Sequence, residues 1–202
     1  MKKLAVFLSG MLIISLVKAQ DDEFKTIFQR RDEQKVIVSG FGGPVMVFTS
    51  VGSHFAHMMG GGGGVMINSF FFGGYGLGLT TPIPYKNEEE NDLEFGHGGF
   101  WFGVILGSNK PVHLSLSSLA GWGSITESDP SMPSMEDISS EPVFVITPIA
   151  ELELNFSRYF KLGVGTSISI LNGPGVEAPS NYSSKDFIRP SVFMSFKFGW
   201  FY

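Results

Sequence analysis

The chain has 202 residues, 43% of them hydrophobic, with 26 glycines, 20 phenylalanines, no cysteine and a formal charge of −5. The acidic balance, without clustered Lys and Arg, excludes nucleic acid as a partner. The missing cysteines exclude disulfide staples, so a sheet or a core must hold a fold of single-domain size.

Lys2 and Lys3 precede an uncharged apolar stretch at 4–17, and Val17-Lys18-Ala19 presents small or modest residues where a signal peptidase reads. The stretch of 14 residues is short for a spanning helix, which needs about 20. Residues 1–19 therefore read as a signal peptide cleaved before Gln20, and no cysteine follows to carry a lipid anchor. Cleavage removes three basic residues, leaving 11 against 19 acidic, a net charge of −8. Residues 20–35, with Asp21-Asp22-Glu23 and Arg30-Arg31-Asp32-Glu33, read as a polar lead-in.

After residue 35 the chain is apolar yet has no apolar run of helical length; its hydrophobic residues are dispersed by alternation. Eight strands are expected, at about 38–49, 55–67, 69–80, 96–107, 112–124, 143–156, 160–171 and 188–202. Pro44 in the first and Pro148 in the sixth each remove a ladder donor, which predicts a bulge or an interrupted strand.

The second strand contains HMMGGGGGVMI at 57–67. A phosphate loop would need Gly-Lys-Ser/Thr and a helix after the glycines, but Val65-Met66-Ile67 follows. A linker would have hydrophilic flanks, and these are apolar. Gly60, Gly61, Gly62, Gly63 and Gly64 thus form a strand with a bare backbone. His57 is costly against lipid, so its parity (Met59, Gly61, Gly63, Val65) is expected to face the interior, with Met58, Gly60, Gly62, Gly64 and Met66 outward. The inward Trp101 and Phe193 would supply bulk beside the glycines.

The later strands have sharper faces. Phe100, Phe102, Val104 and Leu106 alternate with Trp101, Gly103 and Ile105, and Leu114 and Leu116 with His113, Ser115 and Ser117. In the sixth strand Leu152, Leu154 and Phe156 oppose Glu151, Glu153 and Asn155; in the seventh Leu162 and Val164 oppose Lys161, Gly163 and Gly165. The last strand sets Val192, Met194, Phe196, Phe198, Trp200 and Tyr202 against Ser191, Phe193, Ser195, Lys197, Gly199 and Phe201. The second faces are small, polar or charged, as the interior of a narrow barrel requires. Short turns at 68–69, 108–110 and 157–159 alternate with long polar loops at 81–95, 125–142 and 172–187; only the hairpin at 50–53 departs from that rule. The expected fold is all-β: a closed, antiparallel, eight-stranded up-and-down transmembrane β-barrel over residues 36–202.

In this the chain resembles the small eight-stranded outer-membrane barrels of Gram-negative envelopes, whose last strand ends in an aromatic residue. The resemblance implies that Phe198, Trp200 and Tyr202 form a C-terminal signal for the barrel-assembly machinery, that residues 20–35 are periplasmic, and that outer-membrane lipids including lipopolysaccharide surround the barrel. It marks a class and names no activity.

Candidate chemistry is sparse. Glu151, Glu153, Lys161, Lys197 and His113 fall on the interior parity and are expected to pair in a plugged lumen. His54, His57, His97 and His113 show no HExxH spacing, so no catalytic, cofactor or metal residue is expected. His54 and His97, placed near the outer rim beside serines, leave a lipid-modifying enzyme as the alternative, with the glycine strand notched for an acyl chain. A soluble exported barrel with a small apolar ligand is a further alternative. Glu88-Glu89-Glu90 and Asp92 read as a solvated acidic loop. The leading reading is a non-enzymatic envelope barrel that acts structurally or through its extracellular loops.

Overall fold

A computed structural model of the chain describes residues 36–83, 92–128, 139–173 and 188–201. The signal segment, the lead-in, Glu88-Glu89-Glu90 and Tyr202 lie outside the described residues. Every described regular element is a strand. They are β1 (Val38–Val51), β2 (His54–Ile67), β3 (Phe70–Leu79), β4 (Asp92–Leu106), β5 (Val112–Ser128), β6 (Ser139–Asn155), β7 (Phe160–Ile168), β8 (Ile170–Asn172) and β9 (Pro190–Gly199). β7 and β8 follow one another along β6 and make a single stave, so the cylinder has eight. Each stave pairs antiparallel with its chain neighbour, and β1 pairs with β9 to close the barrel. The fold class is the one the alternation implies.

Both prolines interrupt a ladder without shifting it. The β1–β9 pairing runs Phe41↔Gly199 and Gly42↔Phe198, then resumes in the same register at Val45↔Ser195, skipping Gly43 and Pro44. Opposite Pro148, the β6 ladder breaks between Ile149↔Ser167 and Ile146↔Ile170, again in constant register. No extra residue is inserted at either site, so each proline costs a ladder bond and makes no bulge. The break between β7 and β8 is the imprint of Pro148 on its neighbour.

The turns differ at the two ends. Asn68-Ser69 joins β2 to β3, with Asn68 at φ 54°, a left-handed conformation that asparagine tolerates. The Asn68 side chain accepts a hydrogen bond from Ile37 N (3.1 Å), and its own N–H donates to Ile37 O (2.9 Å), which ties the start of β1 to this turn. At the other end, residues 125–128 and 139–142, expected in a loop, are strand: Ile125↔Glu141, Thr126↔Ser140 and Glu127↔Ser139 extend the β5–β6 hairpin. Ile125 and Val143 are buried there, so the core carries the ladder farther than the polar sequence suggests.

The outer surface is an apolar belt that includes exposed Phe70, Phe72, Phe102, Leu114, Leu152 and Val192. The lumen is filled and has two halves. Toward the end that carries Val36 and Phe201 it is polar and aromatic. Toward the loop end it is mainly apolar, packed with Val47, Met58, Leu77, Phe95, Val143 and Val145 around buried His97, Thr126 and Thr147, and Ile83, which lies beyond β3, is fully buried. The expectation of a small, polar interior is therefore met more closely in the first half than in the second. β1, β2 and β3 are apolar on both faces, and their inner residues Val47, Met58 and Leu77 contribute to the second half.

The parity of β2 is the reverse of the one expected. Met58 and Met66 are buried in the lumen, whereas Met59 and Val65 are exposed on the outer face. His57 faces outward near the rim, where its Nδ1 lies 2.7 Å from Thr80 Oγ1 and its ring tilts over Phe48 at 4.8 Å. A hydrogen-bonded histidine at the rim avoids the desolvation that a free one would meet deeper in lipid.

Candidate functional site

The polar half of the lumen is built by strand periodicity. Glu151 and Glu153 stand two residues apart on β6 and point to one face. Register sets His113 of β5 directly opposite Glu153, and on the other side places Gly165 and Gly163 of β7 beside Glu151 and Glu153. Because β7 has no side chains there, the two carboxylates reach across it to β9. A Cβ on Gly163 would collide with the Glu151 carboxylate and meet Ser195 Oγ at 2.7 Å. The glycine is a clearance for the ion pairs.

Lys197 of β9 is the centre. Its Nζ donates to Glu151 Oε2 at 2.9 Å and to Glu153 Oε1 at 2.5 Å. Ser195 Oγ donates to Glu151 Oε1, and His113 Nε2 to Glu153 Oε2 at 3.0 Å, so all four carboxylate oxygens are occupied. The second ring nitrogen of His113 lies 3.1 Å from Lys110 O. Lys161 stands apart: its Nζ is 3.9 Å from Glu153 Oε2 and 4.4 Å from the centre of the Phe201 ring. Glu151, Glu153, His113, Lys161 and Lys197 are all buried.

Above the carboxylates an aromatic box caps Lys197. Its Nζ lies 5.0 Å from the Trp101 ring, 5.6 Å from Phe71 and 5.8 Å from Phe41, within cation–π range. The three rings meet edge to face, with Phe41–Phe71 at 5.4 Å, Phe41–Trp101 at 5.5 Å and Phe71–Trp101 at 5.6 Å. Trp101 Nε1 donates to Ser117 Oγ at 3.2 Å. The indole lies over Gly62, where a Cβ would stand 2.9 Å from it. Trp101 thus occupies the room left by the bare strand. The box stands between the ion pairs and the packing of the loop half.

Ser195, Gly163, Phe41 and Phe71 are members of this site that sequence reasoning did not single out, whereas Trp101 stands beside the glycines as expected. The signal was available in part: Ser195 and Gly163 share the interior parity of Lys197 and Lys161. The histidines are dispersed. His97 lies in the lumen with Nδ1 2.9 Å from the Tyr75 hydroxyl, not at the outer rim, so it cannot join His54 in a rim site. His54 is exposed at the first hairpin. Phe198 and Trp200 point outward in a cluster with Phe160 and Tyr159, at 5.0 Å and 4.9 Å respectively.

No family model and no curated relative matches the sequence. Several solved structures match, among them the following two. The structure of Neisserial surface protein A superimposes with a TM-score of 0.58 at 9% identity, covering 84% of this chain and all of that one (100%). Ail, the attachment invasion locus protein of Yersinia pestis, solved with the heparin analogue sucrose octasulfate, gives 0.52 at 15% identity, covering 82% of this chain and 98% of that one. The fold is that of the small eight-stranded outer-membrane barrels.

Proposed function

We propose that the chain is a non-conducting outer-membrane barrel that acts at the cell surface through the long connections at its loop end. The observation that carries this reading is the combination of an apolar outer belt with a filled lumen. Such a surface is stable only against lipid, and eight staves leave an interior that side chains just fill. The aromatic cluster of Tyr159, Phe160, Phe198 and Trp200 sits beside the chain termini, where an interfacial girdle belongs. In this reading Phe198 and Trp200, with Tyr202, form the signal for the barrel-assembly machinery, and lipopolysaccharide contacts the outer belt.

The two neighbours are named for surface and attachment roles, and one was solved with a heparin analogue. The net charge of −8 expected after cleavage disfavours a polyanion as the ligand here. A neutral or cationic surface partner is the better match.

The test is fractionation of expressing cells together with gel migration of heated and unheated samples. Enrichment in the outer membrane with heat-modifiable migration supports the reading. Recovery in the soluble periplasm overturns it.

A further inference from the structure

We infer that the termini-bearing mouth of the barrel holds a small-anion site built around Lys161. A cavity of about 220 Å³ opens there between β1, the Asn68-Ser69 turn and β7. Among the described residues Lys161 is the only charged one in its lining; Ser39, Ser69 and Ser108 supply hydroxyls, and Met66 and Phe201 an apolar wall.

The hydrogen bonds inside the lumen leave Lys161 over. Each oxygen of Glu151 and Glu153 already receives a donor from Lys197, Ser195 or His113. The Lys161 side chain is 3% exposed; Glu153 Oε2 at 3.9 Å pairs with it beyond hydrogen-bond length, and the Phe201 ring at 4.4 Å gives a cation–π contact but no oxygen acceptor. An ammonium has three donors, and one that lines a cavity with its nearest carboxylate 3.9 Å away has donors to offer a ligand there. A carboxylate or phosphate group in the cavity accepts from Lys161 and takes further hydrogen bonds from the serine hydroxyls. A short alkyl appendage fits against Met66 and Phe201. The ligand class is therefore a small oxyanion.

The experiment uses the ¹⁵N-labelled mature chain, folded in zwitterionic nanodiscs and titrated with sodium phosphate and with sodium butyrate against sodium chloride at constant ionic strength. Saturable shifts of the Ser69 and Ser108 amides are expected for at least one oxyanion, with a Kd of about millimolar order. Shifts that appear only when phosphatidylglycerol replaces the zwitterionic lipid support the same site with a lipid headgroup as the source. Lys161→Met is expected to weaken binding roughly tenfold or more, while Lys161→Arg retains it. Ser69→Asp, on an external turn, fills the site with its own carboxylate and abolishes binding without touching the ion pairs, so it serves if Lys161→Met does not fold. Linear, non-saturating shifts with both anions and in both lipids, or binding unchanged in Ser69→Asp, overturn the inference.

Discussion

Trp101 packs against Gly62, with the edge of its indole 2.9 Å from where a Cβ would stand. The ring is 1% exposed and also contacts Phe41, Phe71 and Phe193. The glycine run is therefore the receiving half of a packing pair, and its inner residues are not equivalent to its outer ones.

Substitution separates an inner glycine of the run from an outward-facing glycine on the neighbouring strand. Gly62→Val is expected to destabilise the barrel by about 1–3 kcal/mol, the ordinary cost of overpacking. At Gly76, on the outer face of β3, a Cβ meets nothing within 4 Å; Gly76→Ala is expected to be neutral or to stabilise by up to about 1 kcal/mol. Reversible urea unfolding in lipid vesicles reads both. Equal losses would contradict the packing described.

The absence of cysteine makes the register of β2 directly testable. Single cysteines carrying spin labels at Met59 and Val65 are expected to collide with oxygen dissolved in lipid. Labels at Met58 and Met66 are expected to be shielded, or to perturb folding, because those side chains are buried. The opposite pattern would restore the parity that the sequence suggests.

Lys197 holds both Glu151 and Glu153 of β6. Lys197→Met leaves them buried and short of a cation, an expected loss of about 3–5 kcal/mol. The triple variant Lys197→Met, Glu151→Gln, Glu153→Gln removes all three charges and is expected to recover most of that loss. Urea unfolding compares the two; a triple variant no better than the single would show that ion pairing is not what the lysine supplies.

Asn68 combines a left-handed backbone with a bond to Ile37. Asn68→Ala is expected to cost about 1–2 kcal/mol from the backbone alone. Asn68→Gly relieves that strain but still loses the side-chain bond. Faster hydrogen exchange at the Ile37 amide in both variants, with a larger stability loss in the alanine variant, is the expected result.

The residues that made the architecture legible are those whose two faces differ. In β6 and β9 carboxylates, serines and Lys197 alternate with large apolar residues, and each face is read from the chain alone. In β2 the pattern Met58-Met59 and Val65-Met66 is apolar on both sides, and glycines between carry no face. One histidine then decided the orientation, and it sits where Thr80 satisfies it. The apolar half of the lumen escaped for the same reason: inward and outward residues of β1 and β2 are chemically alike. Trp101 was legible as inward bulk beside the glycines; its place over Gly62, boxed by Phe41 and Phe71, was not, because that depends on which bare position of one strand lies beneath a large residue two strands away.

Pro44 has a bearing on the order of events. Every other seam of the cylinder joins staves adjacent in sequence, so it can zip as soon as its hairpin is made. The β1–β9 seam joins Phe41–Phe48 to Val192–Gly199 and requires the longest loop closure in the molecule. That last and entropically dearest seam is the one divided by a residue with no N–H to give, so it must seal in two short runs. One imino acid near the beginning of the first stave is therefore expected to mark where the cylinder closes last and where it first reopens.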